Sequence, residues 1–248
     1  IYRLDEPVFD TVSVMRALAE PVMSAIVAIR KGSMRLQSSS LFIEAVNGEG
    51  YEIGFSKLIL MAGPGNAALV QSAGLSKPQM QLRPLKMVMM RGGLTEKVFA
   101  HCMGAGINPR VTITSHTDND NNIVWYMGGQ LAEDGVHRSD EEQIVRTQQE
   151  LAALIPWQKL DAAQWAILDI DRAEVRHADG HRPDTFYVDQ QGDIITAWPT
   201  KLALAPLLAQ QVVELASGID KTMAKLPAWP SPPIAEFPWC EHARWGTA

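Results

Sequence analysis

The sequence predicts an α+β protein: a mixed, largely antiparallel set of strands with flanking helices. Three observations carry that expectation. Short β-type runs follow one another from Val22 to Leu60 and again from Leu85 onward, punctuated by Gly, Ser and Asn-Gly signals. Helical periodicity with proper ends occurs only in isolated stretches between them. The polar turns "VNGEG" and "TDNDNN" are hairpin chemistry rather than the long crossovers that parallel strands need.

The elements follow in order. "DTVSVMRALAE" is a short helix, capped by Asp10 or Thr11 and stopped by Pro21. "SAIVAI", "MRLQ", "LFIEAV", "YEIGF" and "KLILMA" are expected strands, with Val46–Gly50 as a hairpin turn. The last run, Lys57–Ala62, is continuously apolar and is expected to be covered on both faces. A helix over Asn66–Ala73 follows, with Gly74 just past its end. Leu85–Met90, "VTITSH" and "IVWYMGG" make an antiparallel meander. In "RSDEEQIVRTQQELAALIP", Ser139 and Glu142 form a capping box, and Ile144, Val145, Gln148, Leu151, Leu154 and Ile155 trace one face up to Pro156. "DTFYVDQQGDIITAW" reads as a strand pair, and Pro206–Gly218 as a last helix. The Pro- and Trp-rich tail is expected to be an irregular strap.

Composition narrows the function classes. A net charge of −6, with no basic stripe, argues against nucleic acid as partner. The two cysteines, Cys102 and Cys240, make no disulfide framework and point to a reducing compartment such as the cytoplasm. No apolar run reaches the roughly 18 residues of a membrane span. Neither "AHCMGAG" nor "TITSHTD" nor the Cys240–His242 run has zinc-ligand spacing, so no metal is expected. His101 and His116 lie in strands, where a pocket-facing role competes with an ordinary core or rim position. Trp125 and Tyr126 alternate faces of one strand, so one of them is a candidate for lining a pocket. "LILMAGPGNAAL" places Gly63, Gly65 and Ala68 on the G-x-G-x-x-G/A fingerprint, which keeps an NADP-dependent enzyme open; Pro64 removes a donor, and Arg83 and Lys86 occupy the region where a ribose-binding acid is needed.

A family resemblance fits the same stretch better. "SKLILMAGPGNAALVQSAGL" followed by "QLRPLKMVMMRG" resembles a late segment of flavin-dependent oxidoreductases of the D-amino-acid oxidase and glycine oxidase type. Ala62 and Gly63 stand at that family's Ala-Gly, Ala73–Leu75 at its following step, and Arg91 and Gly92 at its Arg-Gly. "WAILDIDRAEVRHADGHRPDTFYV" matches a later stretch, with Arg172, Asp179, Gly180 and Pro183 at motif positions, although Ala173 stands where the family usually has Pro. Leu204–Pro206 match the start of the closing flavin segment. The family's opening strand, glycine loop and helix have no counterpart, and "IYRLDEPVFD" reads as the middle of a protein, so a missing N-terminal FAD-binding segment is expected.

The resemblance implies a chain made of a substrate-binding part with residual strands and helices of a Rossmann-like FAD domain. Residues 1–56 would be the start of the substrate domain and strands returning to the FAD domain. Residues 57–76 would be an FAD-domain strand, turn and helix, 77–185 the antiparallel substrate sheet with its helix, 186–226 a late FAD-domain strand and helix, and 227–248 the tail. The implied enzyme oxidises a C–N or C–O bond of a small anionic substrate, an amino acid or a glycerol-phosphate-like compound, by hydride transfer to FAD. A non-catalytic binding module without flavin is the alternative. Arg172 would bind the substrate's anionic group, because guanidinium holds a carboxylate bidentately; Arg176 and Arg182 are substitutes. Its competing role is an ion pair with Asp169, Asp171 or Glu174. His101 and Tyr126 are further substrate-binding candidates. Ala62, Gly63, Thr200, Lys201 and Leu202 would lie at the cofactor, the last three before a helix whose positive end suits the flavin's pyrimidine edge.

Overall fold

A computed structural model describes residues 2–37, 39–177, 183–218, 226–241 and 243–247. In chain order its strands are β1 (Arg35–Gln37), β2 (Ser40–Glu44), β3 (Gly50–Gly54), β4 (Leu58–Leu60), β5 (Met80–Arg91), β6 (Ala100–Met103), β7 (Pro109–Thr117), β8 (Ile123–Gly128), β9 (Gln164–Val175), β10 (Tyr187–Gln191), β11 (Ile194–Trp198) and β12 (Gly246–Thr247). The helices are α1 (Thr11–Ala19), α2 (Asn66–Ser72), α3 (Gln130–Asp134), α4 (Asp140–Leu154), α5 (Ala205–Leu215) and α6 (Pro238–Glu241). The α+β class is as expected. The chain divides into two compact units, one of residues 1–17, 84–171 and 234–248, the other of residues 18–83 and 172–233.

The first unit is built on a sheet with strand order β12-β9-β5-β8-β7-β6. β7 and β8 pair antiparallel around a turn at Asp118–Asn122, and β5 pairs antiparallel with β8. Alternation along the strands gives the sheet two different faces. Val88, Met90, Val111, Ile113, Trp125, Met127 and Trp165 pack with Leu131, Leu151 and Ile155 on one of them. Met89, Val124 and Ala166 point the other way and are covered by Trp239, Phe237 and Trp245 of the C-terminal segment. α4 carries the expected capping box, and of the expected face Leu151 and Ile155 are buried with Ile144 and Leu154 packed beside them, but the buried stripe is shifted towards polar residues. Gln143, Thr147, Glu150 and Leu151 are buried, whereas Val145 is 49% exposed. The inward polar groups are satisfied: Gln143 donates to the carbonyls of Lys86 and Leu131 and accepts from Arg138, and Glu150 pairs with Arg110 and Arg146.

The second unit holds an antiparallel β1-β2-β3 sheet and a β10-β11-β4 sheet. The hairpin turn at Val46–Gly50 joins β2 and β3 as predicted, with Gly48 at φ 88°. Around β11, Ile195 and Ala197 pack on Leu208 and Val212 of α5. Several expectations need correction here. "SAIVAI" is not a strand: α1 ends at Ala19 ahead of Pro21 as expected, but Glu20–Ala25 then forms a 3-10 turn with Pro21 in its first positions, and Ile29 makes only an isolated bridge to Ala45. The run Lys57–Ala62 yields a strand of only Leu58–Leu60, with Leu60 buried but Ile59 40% and Met61 51% exposed. β5 is longer than Leu85–Met90 and contains Pro84, which is tolerated because β8 pairs only with Val88–Arg91.

Candidate functional site

β4 and β11 run parallel, with Leu58, Ile59 and Leu60 opposite Ile194, Ile195 and Thr196. Both strands therefore leave the sheet at the same end. Beyond Leu60 the chain passes Ala62, turns through Gly63–Gly65 and enters α2; beyond Trp198 it passes Thr200, turns through Leu202–Leu204 and enters α5. Carboxyl ends of adjacent parallel strands are where open α/β sheets receive ligands. Two side chains tie the turns together. The Trp198 indole donates to the Gly63 carbonyl at 3.1 Å, and the Asn66 amide donates to Leu60 and Ala197. The candidates Ala62 and Gly63 thus lie at the same sheet end as Thr200, Lys201 and Leu202.

Gly63 has φ 55°, which its lack of a Cβ permits. Thr200 has φ 60°, an outlier for a β-branched residue, and its Oγ1 is buried without a hydrogen-bond partner. Lys201 and Leu202 are exposed beside it, ahead of α5. The dinucleotide-loop reading of Gly63–Ala68 fares poorly. The Ala62 N–H is taken by Asn66 Oδ1 at 2.7 Å and the Gly65 N–H by the Ala62 carbonyl at 2.9 Å, so neither is available to a phosphate.

In the first unit, Tyr126 of β8 lies opposite Thr114 of β7, and His101 of β6 opposite Thr112, so all four share one sheet face. Burial pushes the Tyr126 hydroxyl up to about 12, which keeps it protonated at neutral pH. His101 is exposed on an edge strand. His116, two residues beyond Thr114, is on the same face: its Nε2 lies 3.0 Å from Thr114 Oγ1, and its ring packs 4.5 Å from Trp239 and 5.5 Å from Phe237. Burial holds its pKa below the ordinary imidazole value, with Asp10 opposing and Lys97 reinforcing the shift.

Arg172, in the last part of β9, which falls in the second unit, donates from Nε to the Arg83 carbonyl at 3.4 Å. Two of the acids proposed as its ion-pair partners are engaged elsewhere: Glu174 with Arg83 at 2.7 Å, and Asp169 with Lys86 at 3.5 Å. The Arg176 N–H donates to Gln79. Asp179, Gly180, Arg182 and His242 lie outside the described residues. At the Arg-Gly position, Arg91 reaches Asp118 and Gln164 and stacks 4.4 Å from the Trp245 ring centroid; a Cβ on Gly92, at φ 85°, would meet the Ala162 carbonyl oxygen at 2.3 Å. Among the described residues no group of three or more His, Cys, Asp or Glu is placed to hold a metal ion, and no helix is long and apolar enough to cross a membrane. Asn66 and Asp118 are the organising residues that sequence reasoning missed. Their signal was an Asn at a helix start and an Asp opening a polar turn, each a common local pattern.

The fold is similar to that of a solved FAD-dependent oxidoreductase. The chain is 43% identical over 242 residues to the probable FAD-dependent oxidoreductase PA4991 of Pseudomonas aeruginosa, covering 96% of this chain and 61% of that protein. The crystal structure of the FAD-dependent oxidoreductase PA4991 superposes with a TM-score of 0.87 at 42% identity, over 96% of this chain and 66% of that one. Iminodiacetate oxidase from Chelativorans sp. BNC1 aligns at 15% identity and a TM-score of 0.43, over 82% of this chain and 53% of the other. The chain therefore spans about three-fifths of the length of its curated relative. No protein-family model matches it.

Proposed function

We propose that this chain is the substrate-binding part, with late pieces of the flavin domain, of an FAD-dependent oxidoreductase that oxidises a C–N or C–O bond of a small anionic substrate. The observation that carries this reading is the joined end of β4 and β11. There the Gly63 turn and the strained Thr200 turn are held at one sheet end by Trp198 and Asn66. Strained backbone clusters at ligand-binding sites, and a buried hydroxyl without a partner calls for a group to meet it. A bound flavin would give Thr200 Oγ1 a polar partner, and Ala62 and Gly63 are small enough for close approach. When bound, FAD accepts the electron pair that leaves the substrate carbon. Lys201 and the amino end of α5 place positive charge beside the cofactor. Arg172 binds the substrate's anionic group, its guanidinium oriented by the Arg83 carbonyl. In the first unit, Tyr126 with its protonated hydroxyl and His101 with its exposed ring remain substrate-binding candidates. The two free cysteines, Cys102 and Cys240, suit the cytoplasm.

The test is the absorbance of the complete protein between about 350 and 500 nm, followed by anaerobic bleaching with amino acids and with hydroxy acids or glycerol phosphate. Flavin bands that bleach with an anionic substrate are expected. Arg172→Met should raise KM for that substrate by about a hundredfold with a smaller effect on kcat. A colourless protein that does not take up added FAD overturns the reading.

A further inference from the structure

We propose that Asn66 is a positioning residue for the flavin site: one buried amide that sets the spacing between the turn after β4 and the end of β11. The proposal rests on the flavin reading above. Asn66 is 0% exposed, so its side chain acts through the backbone it grips. Its carbonyl oxygen accepts the Ala62 N–H at 2.7 Å. Its NH2 group donates to the Leu60 carbonyl at 3.2 Å and to the Ala197 carbonyl at 3.1 Å. Both donors and one acceptor site are in use, which fixes which way the amide points.

A helix-capping Asn accepts from its own helix's first amides. Asn66 does something else. The parallel ladder between β4 and β11 ends at the pair Leu60 and Thr196. Past that pair the main chains diverge into their separate turns. Asn66 reaches back from the first position of α2 and bridges the two strand ends with its side chain. Ala62 on one side and the Trp198–Leu202 segment on the other are thereby held at a fixed separation. The Trp198 indole, donating to the Gly63 carbonyl, is the second tie across the same gap. A cofactor lying over this end would meet both turns at once, so a loss of register there weakens its binding even when the fold survives. Truncating Asn66 removes all three of these bonds at once.

The test uses the complete protein as wild type, Asn66→Ala, Asn66→Ser and Ile43→Ala. Ile43 is buried in β2, outside both turns, and its truncation supplies a general destabilisation. FAD affinity is read by quenching of flavin fluorescence, the bound flavin's spectrum by visible absorbance, and apoprotein stability by Tm. The Asn66 variants should weaken FAD by about tenfold or more and shift the bound spectrum, while Ile43→Ala lowers Tm as much and leaves affinity within about twofold. If Asn66→Ala does not fold, the smaller change Asn66→Ser carries the same comparison. Affinity that falls no further for the Asn66 variants than for Ile43→Ala at equal Tm loss overturns the positioning role alone. Wild type that takes up no FAD overturns the flavin reading, and the positioning role with it.

Discussion

At Asp118 the donors of Asp120, Asn122 and Arg91 converge on one carboxylate that is 7% exposed. Burial alone would raise its pKa, but the Asn122 and Asp120 hydrogen bonds and the Arg91 guanidinium outweigh it and hold the carboxyl below its ordinary value of 3.8. A carboxylate depressed in the fold stabilises fully above its unfolded pKa and loses that contribution as pH falls through the folded value. Asp118→Asn should therefore cost about 2–3 kcal/mol near neutral pH and flatten the acid limb of the stability curve below about pH 4. Urea unfolding at several pH values checks both. The sequence showed the turn but not its organiser, because "TDNDNN" offers several equivalent acceptors and only the fold puts Arg91 beside one of them. The same applies to Arg172: its place in a motif was legible, whereas the engagement of Glu174 by Arg83 and Asp169 by Lys86 depends on strand pairing distant in sequence.

At the scale of elements, α4 separates what local pattern reveals from what packing decides. Its start was legible, since a capping box is a relation among residues three apart. Its buried face was legible only in part: Leu151 and Ile155 are in the core as periodicity predicts, but apolar periodicity cannot register an inward stripe of Gln143, Thr147 and Glu150. Gln143 and Glu150 find partners on other elements, and the Thr147 hydroxyl donates to the Gln143 carbonyl one turn back in its own helix. The cap and the buried polar stripe contribute differently to stability. Ser139→Ala removes an exposed cap and should destabilise by about 1 kcal/mol. Gln143→Ala strands the Lys86 and Leu131 carbonyls and the Arg138 guanidinium, opens a cavity beneath Gly135, and should cost about 3 kcal/mol. Thermal melts of both variants test the ranking, and equal losses would refute it. β4 tells the complementary story: a run of apolar residues suggested full coverage, yet Ile59 and Met61 are exposed in the described residues.

For the whole molecule, the chain changes unit after Ala17, Arg83, Asp171 and Pro233, so neither unit is a continuous stretch of sequence. The last segment belongs to the first unit and closes one face of its sheet. Trp239 is 6% exposed there, stacks 4.6 Å from Phe237, packs 5.6 Å from Tyr126 and donates to the Thr117 carbonyl at 3.1 Å. The tail was legible as a strap but its destination was not, since irregular Pro- and Trp-rich segments carry no periodicity to match with a partner. Its removal is expected to expose Met89, Val124 and Ala166, and Trp239→Ala should cost about 3–5 kcal/mol. The strap also has a pH signature. His116 is packed against Trp239 and Phe237 and faces Asp10 and Lys97, with its folded pKa below the ordinary 6.5. The unfolded chain then binds the proton more readily, so stability is full above about pH 6.5 and declines as pH falls through the folded value. His116→Asn should remove that slope between neutral and mildly acidic pH while leaving the lower-pH limb set by Asp118 in place. Denaturant midpoints of wild type and His116→Asn across that window, followed by tryptophan fluorescence, separate the two groups: a slope that survives in the variant would mean that the strap's acid sensitivity arises elsewhere.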